Sequence, residues 1–222
     1  MFDRGNGGFE DERESLVAQL ADRDRIRRET TLNALRSVPR HEFVPRHRQR
    51  EAYDDRPLPI GNNQTISVPH MVAVMTDLLE LSPGDRVPEI GTGCGYHAAV
   101  TAEIVGPENV FSIEYHESLA QATRDRFRRL SQSGRFDYDD ISIRVTDGHD
   151  GWPEHAPYDA VYLTCATPDF PSTVVEQVRP GGRLLAPLGD DPQELVLAEK
   201  QDDGSLAREP HGFVRFVPMQ GE

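Results

Sequence analysis

The chain has 222 residues, enough for one well-buried α/β domain with a small appendage and short for two full domains. Its 38 Asp and Glu against 24 Lys and Arg give a formal charge of −14, and Lys200 is the single lysine. That balance argues against a nucleic-acid partner, whose phosphates are held largely by Lys and Arg. The lack of any apolar run of roughly eighteen residues argues against a membrane-spanning helix.

Acidic excess with almost no lysine is the pattern expected of a halophilic protein, kept soluble where salt shortens the Debye length to about 3 Å. Arginines cluster over 23–28 and 124–129, but both runs alternate with acids in helical surroundings and read as solvated faces. Cys94 and Cys165 stand far apart without zinc-type spacing. No metal site is therefore expected, and a reducing, cytoplasmic setting fits.

In chain order, residues 1–8 read as a disordered tip ahead of a single domain over 9–222. From Glu10 to Val38 a charged stretch carries Leu16, Val17, Leu20, Leu32 and Leu35 and predicts a helix that Pro39 and Pro45 end. The stretch from Asp54 through Pro57, Pro59 and Gly61 to Asn63 reads as an irregular loop, long enough to be functional. Met71, Val74, Met75, Leu78 and Leu79 share one helical face behind Pro69, and Pro83 with Gly84 stops that helix.

Short β-like runs then alternate with helical ones: 86–90, helix 96–105, 110–113, helix 117–130, 141–145, 160–164, helix 171–178 and 183–187. Runs at 194–199 and 212–217, with a turn at 202–204, predict an antiparallel finish. The fold class implied is α/β, a doubly wound, mostly parallel Rossmann-like sheet with helices on both faces and an N-terminal helical extension.

The chemistry centres on Glu89-Ile90-Gly91-Thr92-Gly93-Cys94-Gly95 between a predicted strand and a predicted helix. Glycines there let the backbone turn tightly and approach a ligand. Twenty-five residues on, Glu114 ends the next strand, where a carboxylate can accept both hydroxyls of a ribose, and Asp147-Gly148 follows the third. NAD and S-adenosylmethionine both suit such a layout. The third glycine comes one position early for a pyrophosphate loop, and Glu89 would repel a pyrophosphate while attracting an ammonium. The loop favours the methyl donor.

Several further segments carry a resemblance: Val38-Pro39-Arg40-His41-Glu42-Phe43-Val44-Pro45, Ala52-Tyr53, Pro57 to Gly61, Gln64 to Met71, Ala156 to Asp159, Pro180 to Leu184 and Phe216-Val217-Pro218. Together with the glycine loop and Asp147-Gly148, they make the chain resemble the protein-L-isoaspartate O-methyltransferases over roughly residues 30–218. Gln64 to Met71 is the most specific part, since methyltransferases in general share the glycine loop but not this segment.

The resemblance implies a seven-stranded methyltransferase sheet, S-adenosyl-L-methionine as donor, and the free carboxylate of L-isoaspartyl residues in damaged proteins as acceptor. It implies that the product ester closes to a succinimide and opens partly to normal aspartate, so that repair proceeds over cycles. By matching position, Ser67 resembles the family's active-site serine, and Gln64, Thr65 and Ile66 flank cofactor and substrate. Glu89, Gly91, Thr92 and Gly93 match the cofactor loop, Glu114 the ribose-binding acid, and Asp147 with Gly148 the adenine-contacting pair.

A flexible peptide substrate calls for an open groove, expected from the Tyr53 to Ser67 loop and the segment Thr164 to Pro171. No defined protein partner is implied, and a monomer is favoured. Ser67 also reads as a cap for the helix beginning near Pro69, a role compatible with the first. His70 reads as a first-turn surface or packing residue.

One departure is Pro88, where the family carries an aliphatic residue. A proline removes a ladder N–H from what should be a central strand, so a bulge or weaker pairing is expected beside the loop. Two rival readings remain open. A methyltransferase of exocyclic base amines would show an Asn-Pro-Pro-Tyr-like tetrad where this chain has Thr164-Cys165-Ala166-Thr167-Pro168. A non-catalytic relative would bind cofactor or peptide without turnover, with Pro88 as its one hint.

Overall fold

The structure, a computed structural model, describes residues 7–22 and 26–221. Residues 1–6 of the expected disordered tip lie outside them, and helix α1 (Gly7–Ala21) starts at its last two positions. The helix predicted over 10–38 is two, α1 and α2 (Glu29–Ser37). A distant side chain explains the break. Asp77 is buried, and its two oxygens accept the backbone N–H groups of Arg27 and Arg28 at 3.0 and 2.9 Å. Those are donors that helix entry leaves without partners.

Two 3-10 turns, Arg40–Phe43 and Arg46–Glu51, follow. The stretch read as an irregular loop is largely a hairpin, β1 (Leu58–Gly61) against β2 (Gln64–Ile66). Asn62 and Asn63 turn it at φ +49° and +57°, the pair of left-handed residues whose twist suits a two-residue hairpin. Helix α3 (Pro69–Leu79) ends earlier than Pro83, at Glu80 with φ +50°.

Thereafter the predicted alternation holds: β3 (Val87–Ile90), α4 (Tyr96–Val105), β4 (Val110–Glu114), α5 (Glu117–Ser131), β5 (Ser142–Val145), β6 (Tyr158–Leu163), α6 (Ser172–Gln177) and β7 (Val178–Leu188). Strands β8 (Gln193–Lys200) and β9 (Leu206–Val214) add the antiparallel end. The last strand lies earlier than 212–217. It contains Pro210, which an edge strand tolerates because one side of its ladder is unpaired.

The seven-stranded sheet runs β5-β4-β3-β6-β7-β8-β9, with β5, β4, β3, β6 and β7 parallel. Alternating side chains feed two apolar clusters, Leu185 joining one and its neighbours Leu184 and Ala186 the other. The first cluster also holds side chains of α1 to α5, whereas the second holds α6 through Val174. Helices cover both faces, but very unequally.

Pro88 produces no bulge against β4, where Val87 to Ile90 pair in unbroken register with Val110 to Ile113. The carbonyls of Arg86 and Ile90 accept from Asp159 and Thr164 on the β6 side, so by ladder alternation Pro88 also faces β6. There the register is short, covering Glu89 and Ile90 alone. Lys200 also has a defined place. Its ammonium donates to the carbonyls of Val175 and Val178 at 2.8 and 2.7 Å, capping the end of α6.

Replacing Asp77 by Ala leaves the partly buried N–H groups of Arg27 and Arg28 without their acceptor. Urea unfolding is expected to show a loss of about 2–4 kcal/mol, from about 1–3 per orphaned donor with partial rehydration, and Asp77→Asn, which keeps one acceptor oxygen, about half of it.

Candidate active site

Strand β3 has β4 on one side and β6 on the other, so the chain leaves β3 in one direction and returns for β6 in the other. Such a switch opens a crevice at the carboxyl ends of the strands. A cleft of about 780 Å³, its open mouth included, lies there. The glycine loop, Glu114, Gly148 and the segment Gln64 to Ser67 all line it.

The loop is tied down by side chains of α5 and of the residue that follows β6. Thr164, Thr123 and Arg126 donate to the carbonyls of Gly91, Gly93 and Cys94 at 2.6, 2.8 and 3.0 Å. Gly91, at φ +102°, is pressed so closely on Thr164 that a Cβ there would overlap its hydroxyl. Gly95, at φ +82°, lets α4 start against Phe127 and Thr123, 2.6 Å from where a Cβ would stand. Glycine is therefore needed for backbone shape and for closeness together.

Glu89 has no exposed surface. Ser112 donates to one oxygen at 2.5 Å and Tyr162 to the other at 3.1 Å, while Thr92 and Thr101 meet those two hydroxyls at 2.6 and 3.0 Å. Burial pushes the Glu89 carboxyl up to about 8 despite these donors, with Glu114 adding like charge. The group is thus largely a neutral acid at pH 7 in the free protein.

Glu114 accepts the N–H groups of Gly93 and His116, both at 2.8 Å and one on each oxygen. A carboxylate has about four acceptor positions, so two remain for a diol. Gly148 lies flush between Ile90 and Met219, 2.5 and 2.8 Å from where its Cβ would stand. Asp147, expected beside it at the ligand, turns its carboxylate to His149, accepting the backbone N–H at 2.9 Å and lying 2.7 Å from Nδ1.

Ser67 lines the cleft, and its carbonyl accepts from Arg40 Nη2 at 2.7 Å. Arg40 is fully buried over the Tyr96 ring and also donates to the Ala52 carbonyl at 2.8 Å. One guanidinium thus fixes both ends of the hairpin segment. The capping reading of Ser67 is corrected: Val68 is the cap residue of α3, with no side-chain bond, and the Asp55 carboxylate meets the N–H of His70 at 3.0 Å. The His70 ring pairs with the same Asp55 at 3.0 Å, outside the cleft.

Of the two segments expected to make a groove, residues 64–67 and Thr164 with Cys165 reach the cleft. Tyr53 is buried instead, 2.7 Å from His41. Several lining or supporting residues escaped the sequence reading. Met219 and Gln220 arrive because the Ala166 backbone brackets the last segment, through Ala166 N to the Val217 carbonyl and Met219 N to the Ala166 carbonyl. His97 lines the cleft, meets Thr76 at 3.1 Å and packs 4.3 Å from the Tyr162 ring. Burial pushes its imidazole down to about 3, so it is neutral, and its Nδ1 has no hydrogen-bond partner among the described residues. Among the described residues no group of three or more His, Cys, Asp or Glu could hold a metal ion, and no helix is long and apolar enough to cross a membrane.

The cleft fits a nucleoside carrying a cationic tail. A two-oxygen acceptor stands at the end of β4, Gly148 lines the cleft with backbone alone, and an ionisable carboxyl lies under the loop.

The folded value for Glu89 lies above the unfolded one of 4.5, so the folded protein holds an extra proton between about pH 4.5 and about 8. Its contribution to stability therefore falls as pH rises through that window. Unfolding free energies measured from pH 5 to 8 are expected to decline less steeply for Glu89→Gln; identical slopes would remove Glu89 as their source.

The family model for protein-L-isoaspartate(D-aspartate) O-methyltransferase matches residues 11–222. Protein-L-isoaspartate O-methyltransferase 2 of Archaeoglobus fulgidus is 47% identical over 215 residues, covering 96% of this chain and 95% of that one. The Methanopyrus kandleri protein-L-isoaspartate O-methyltransferase is 45% identical over 216 residues, covering 96% and 93%. A solved protein-L-isoaspartate O-methyltransferase superposes with a TM-score of 0.82 at 28% identity, over 94% of this chain and 66% of that longer one. A Plasmodium falciparum structure, described as a putative member solved with S-adenosyl-L-homocysteine, shares the fold with a TM-score of 0.80 at 24% identity, over 94% and 98%. With nearly its whole length matched in sequence and in fold, this chain belongs to the protein-L-isoaspartate O-methyltransferase family of S-adenosylmethionine-dependent enzymes.

Proposed function

We propose that the cleft performs the family's reaction on L-isoaspartyl residues of damaged proteins, with Ser67 positioning the substrate carboxylate. The observation that carries this reading is the convergence of Gln64 to Ser67 with the glycine loop, Glu114 and Gly148 on one cleft. The hairpin segment is the part that methyltransferases in general lack.

When bound, S-adenosylmethionine supplies a sulfonium methyl already activated for displacement by a carboxylate oxygen. A carboxylate of ordinary pKa near 4 is ionised at neutral pH, so the protein's task is alignment. Ser67 donates a hydrogen bond to that carboxylate or its neighbouring backbone, and Arg40 fixes the Ser67 backbone from behind. Gln64, Thr65 and Ile66 form the wall between cofactor and substrate. Glu114 accepts the ribose hydroxyls, and Gly148, with Asp147 behind it, borders the adenine. Glu89 faces the ammonium, while Gly91, Thr92 and Gly93 give the methionyl end its close backbone approach.

We also infer a cytoplasmic enzyme, monomeric, without a nucleic-acid partner and adapted to high salt; the acidic excess supports the last two.

The test is transfer of labelled methyl to a short isoaspartyl peptide and to its aspartyl counterpart, in high salt. Transfer to the isoaspartyl form alone is expected. Ser67→Ala should lower kcat/KM by roughly ten- to a hundredfold, the worth of one hydrogen bond to a charged group, with S-adenosylhomocysteine affinity unchanged. Equal labelling of both peptides, or none despite cofactor binding, would overturn the assignment.

A further inference from the structure

The arginine run 124–129 is a solvated face only in part: Asp125, Arg128 and Arg129 are exposed, whereas Arg124 and Arg126 are half-buried. Arg124 donates to the Ile143 carbonyl at 2.8 Å. Arg126 is half-buried and donates from Nε to the Glu42 carbonyl and from Nη1 to the Cys94 carbonyl, both at 3.0 Å. Arg129 meets the Glu42 carboxylate at 3.1 Å.

Arg126 and Arg129 line a cavity of about 1070 Å³, its open mouth included, together with Arg46 and Gln49 of the turn Arg46–Glu51. Arg46 is exposed and has no hydrogen-bond or ion-pair partner among the described residues. Three guanidinium groups therefore face one carboxylate, in a chain whose net charge is −14. Like charges gathered against a partly desolvated wall repel unless an anion joins them. Desolvation, followed among the lowering causes by Arg129, already holds Arg126 below the usual arginine value.

Arginine forks suit phosphate oxygens, which accept several N–H bonds at once, and the Gln49 amide adds a neutral donor. We propose that this cavity binds a dianionic phosphate group, free or as a small monoester, and that its occupancy is felt at the cofactor loop through Arg126. The route is short. A ligand drawing on Arg126 competes with the carbonyl of Cys94, inside the glycine loop. One drawing on Arg129 competes with Glu42, whose turn also carries Arg40, the residue that fixes Ser67. Both effects loosen the cleft, so occupancy weakens cofactor binding, and by linkage the cofactor weakens phosphate binding equally. This site stands apart from the assignment of the methyl acceptor.

The test is calorimetric titration of the full chain with inorganic phosphate and, in a second arm, glycerol phosphate, at constant ionic strength set with sodium chloride. Saturable binding is expected, and the tighter arm identifies the source. Arg46→Ala with Arg129→Ala should weaken it at least about tenfold. Arg128→Ala, which removes a charge paired with Asp125 on the same helix but outside the cavity, should leave it unchanged. Arg46→Ala alone removes an exposed, unpartnered side chain and serves if the double variant does not fold. No saturable binding, or equal loss in the Arg128 control, overturns the site. With phosphate saturating, S-adenosylhomocysteine affinity should fall about fivefold, within the usual range of coupling; an unchanged affinity overturns the link to the loop.

Discussion

A carboxyl group without exposed surface stands in an inner strand of the sheet, one residue from the end of β3, and the cleft is organised around it. Burying an unpaired charge costs several kcal/mol, so the group survives by taking up a proton and by hydrogen bonding. Ser112 comes from the neighbouring strand on one side and Tyr162 from the strand on the other, each at the register position facing Glu89. Sheet register thus fixes the Glu89 network, and the glycine loop begins where the strand stops. A shift of β4 or β6 by one residue would turn that strand's donor to the opposite face.

From that point outward, side chains replace solvent as partners for the loop. Thr164, Thr123 and Arg126 take the carbonyls at positions 91, 93 and 94, and Glu114 takes the N–H of Gly93. A loop so tied has little freedom left to lose when a ligand arrives, which is how preorganisation raises affinity without added contact area. Arg40 does the same for the hairpin segment with a fully buried guanidinium. Arg126 links the two regions, since it also grips the Glu42 carbonyl in the turn that carries Arg40.

Much of this was legible in the sequence because strand–helix alternation and loop chemistry are local. The parallel strands, the glycine loop, Glu114 and Gly148 required no knowledge of distant contacts to be picked out, whereas the segment Gln64 to Ser67 stood out only through its family resemblance. What escaped depends on partners far along the chain. The break between α1 and α2 is set by Asp77, about fifty residues on. Arg126 looks like its solvated neighbours until Cys94 and Glu42 are placed beside it. Tyr162 and His97 lie in apolar stretches where a polar tip is easily read as core. The hairpin was partly readable: Asn62-Asn63 is a turn pair, but Pro57, Pro59 and Gly61 suggest a loop more strongly than strands.

That Glu89 holds a proton in the free protein and releases it against a cationic ligand is the state on which the cleft depends. It is tested most directly by titrating S-adenosylmethionine calorimetrically at pH 7 in two buffers of different ionisation enthalpy. Release of close to one proton on binding is predicted for the native chain, and none for Glu89→Gln. Binding heats independent of buffer in the native chain, or the same proton release in both proteins, would contradict it.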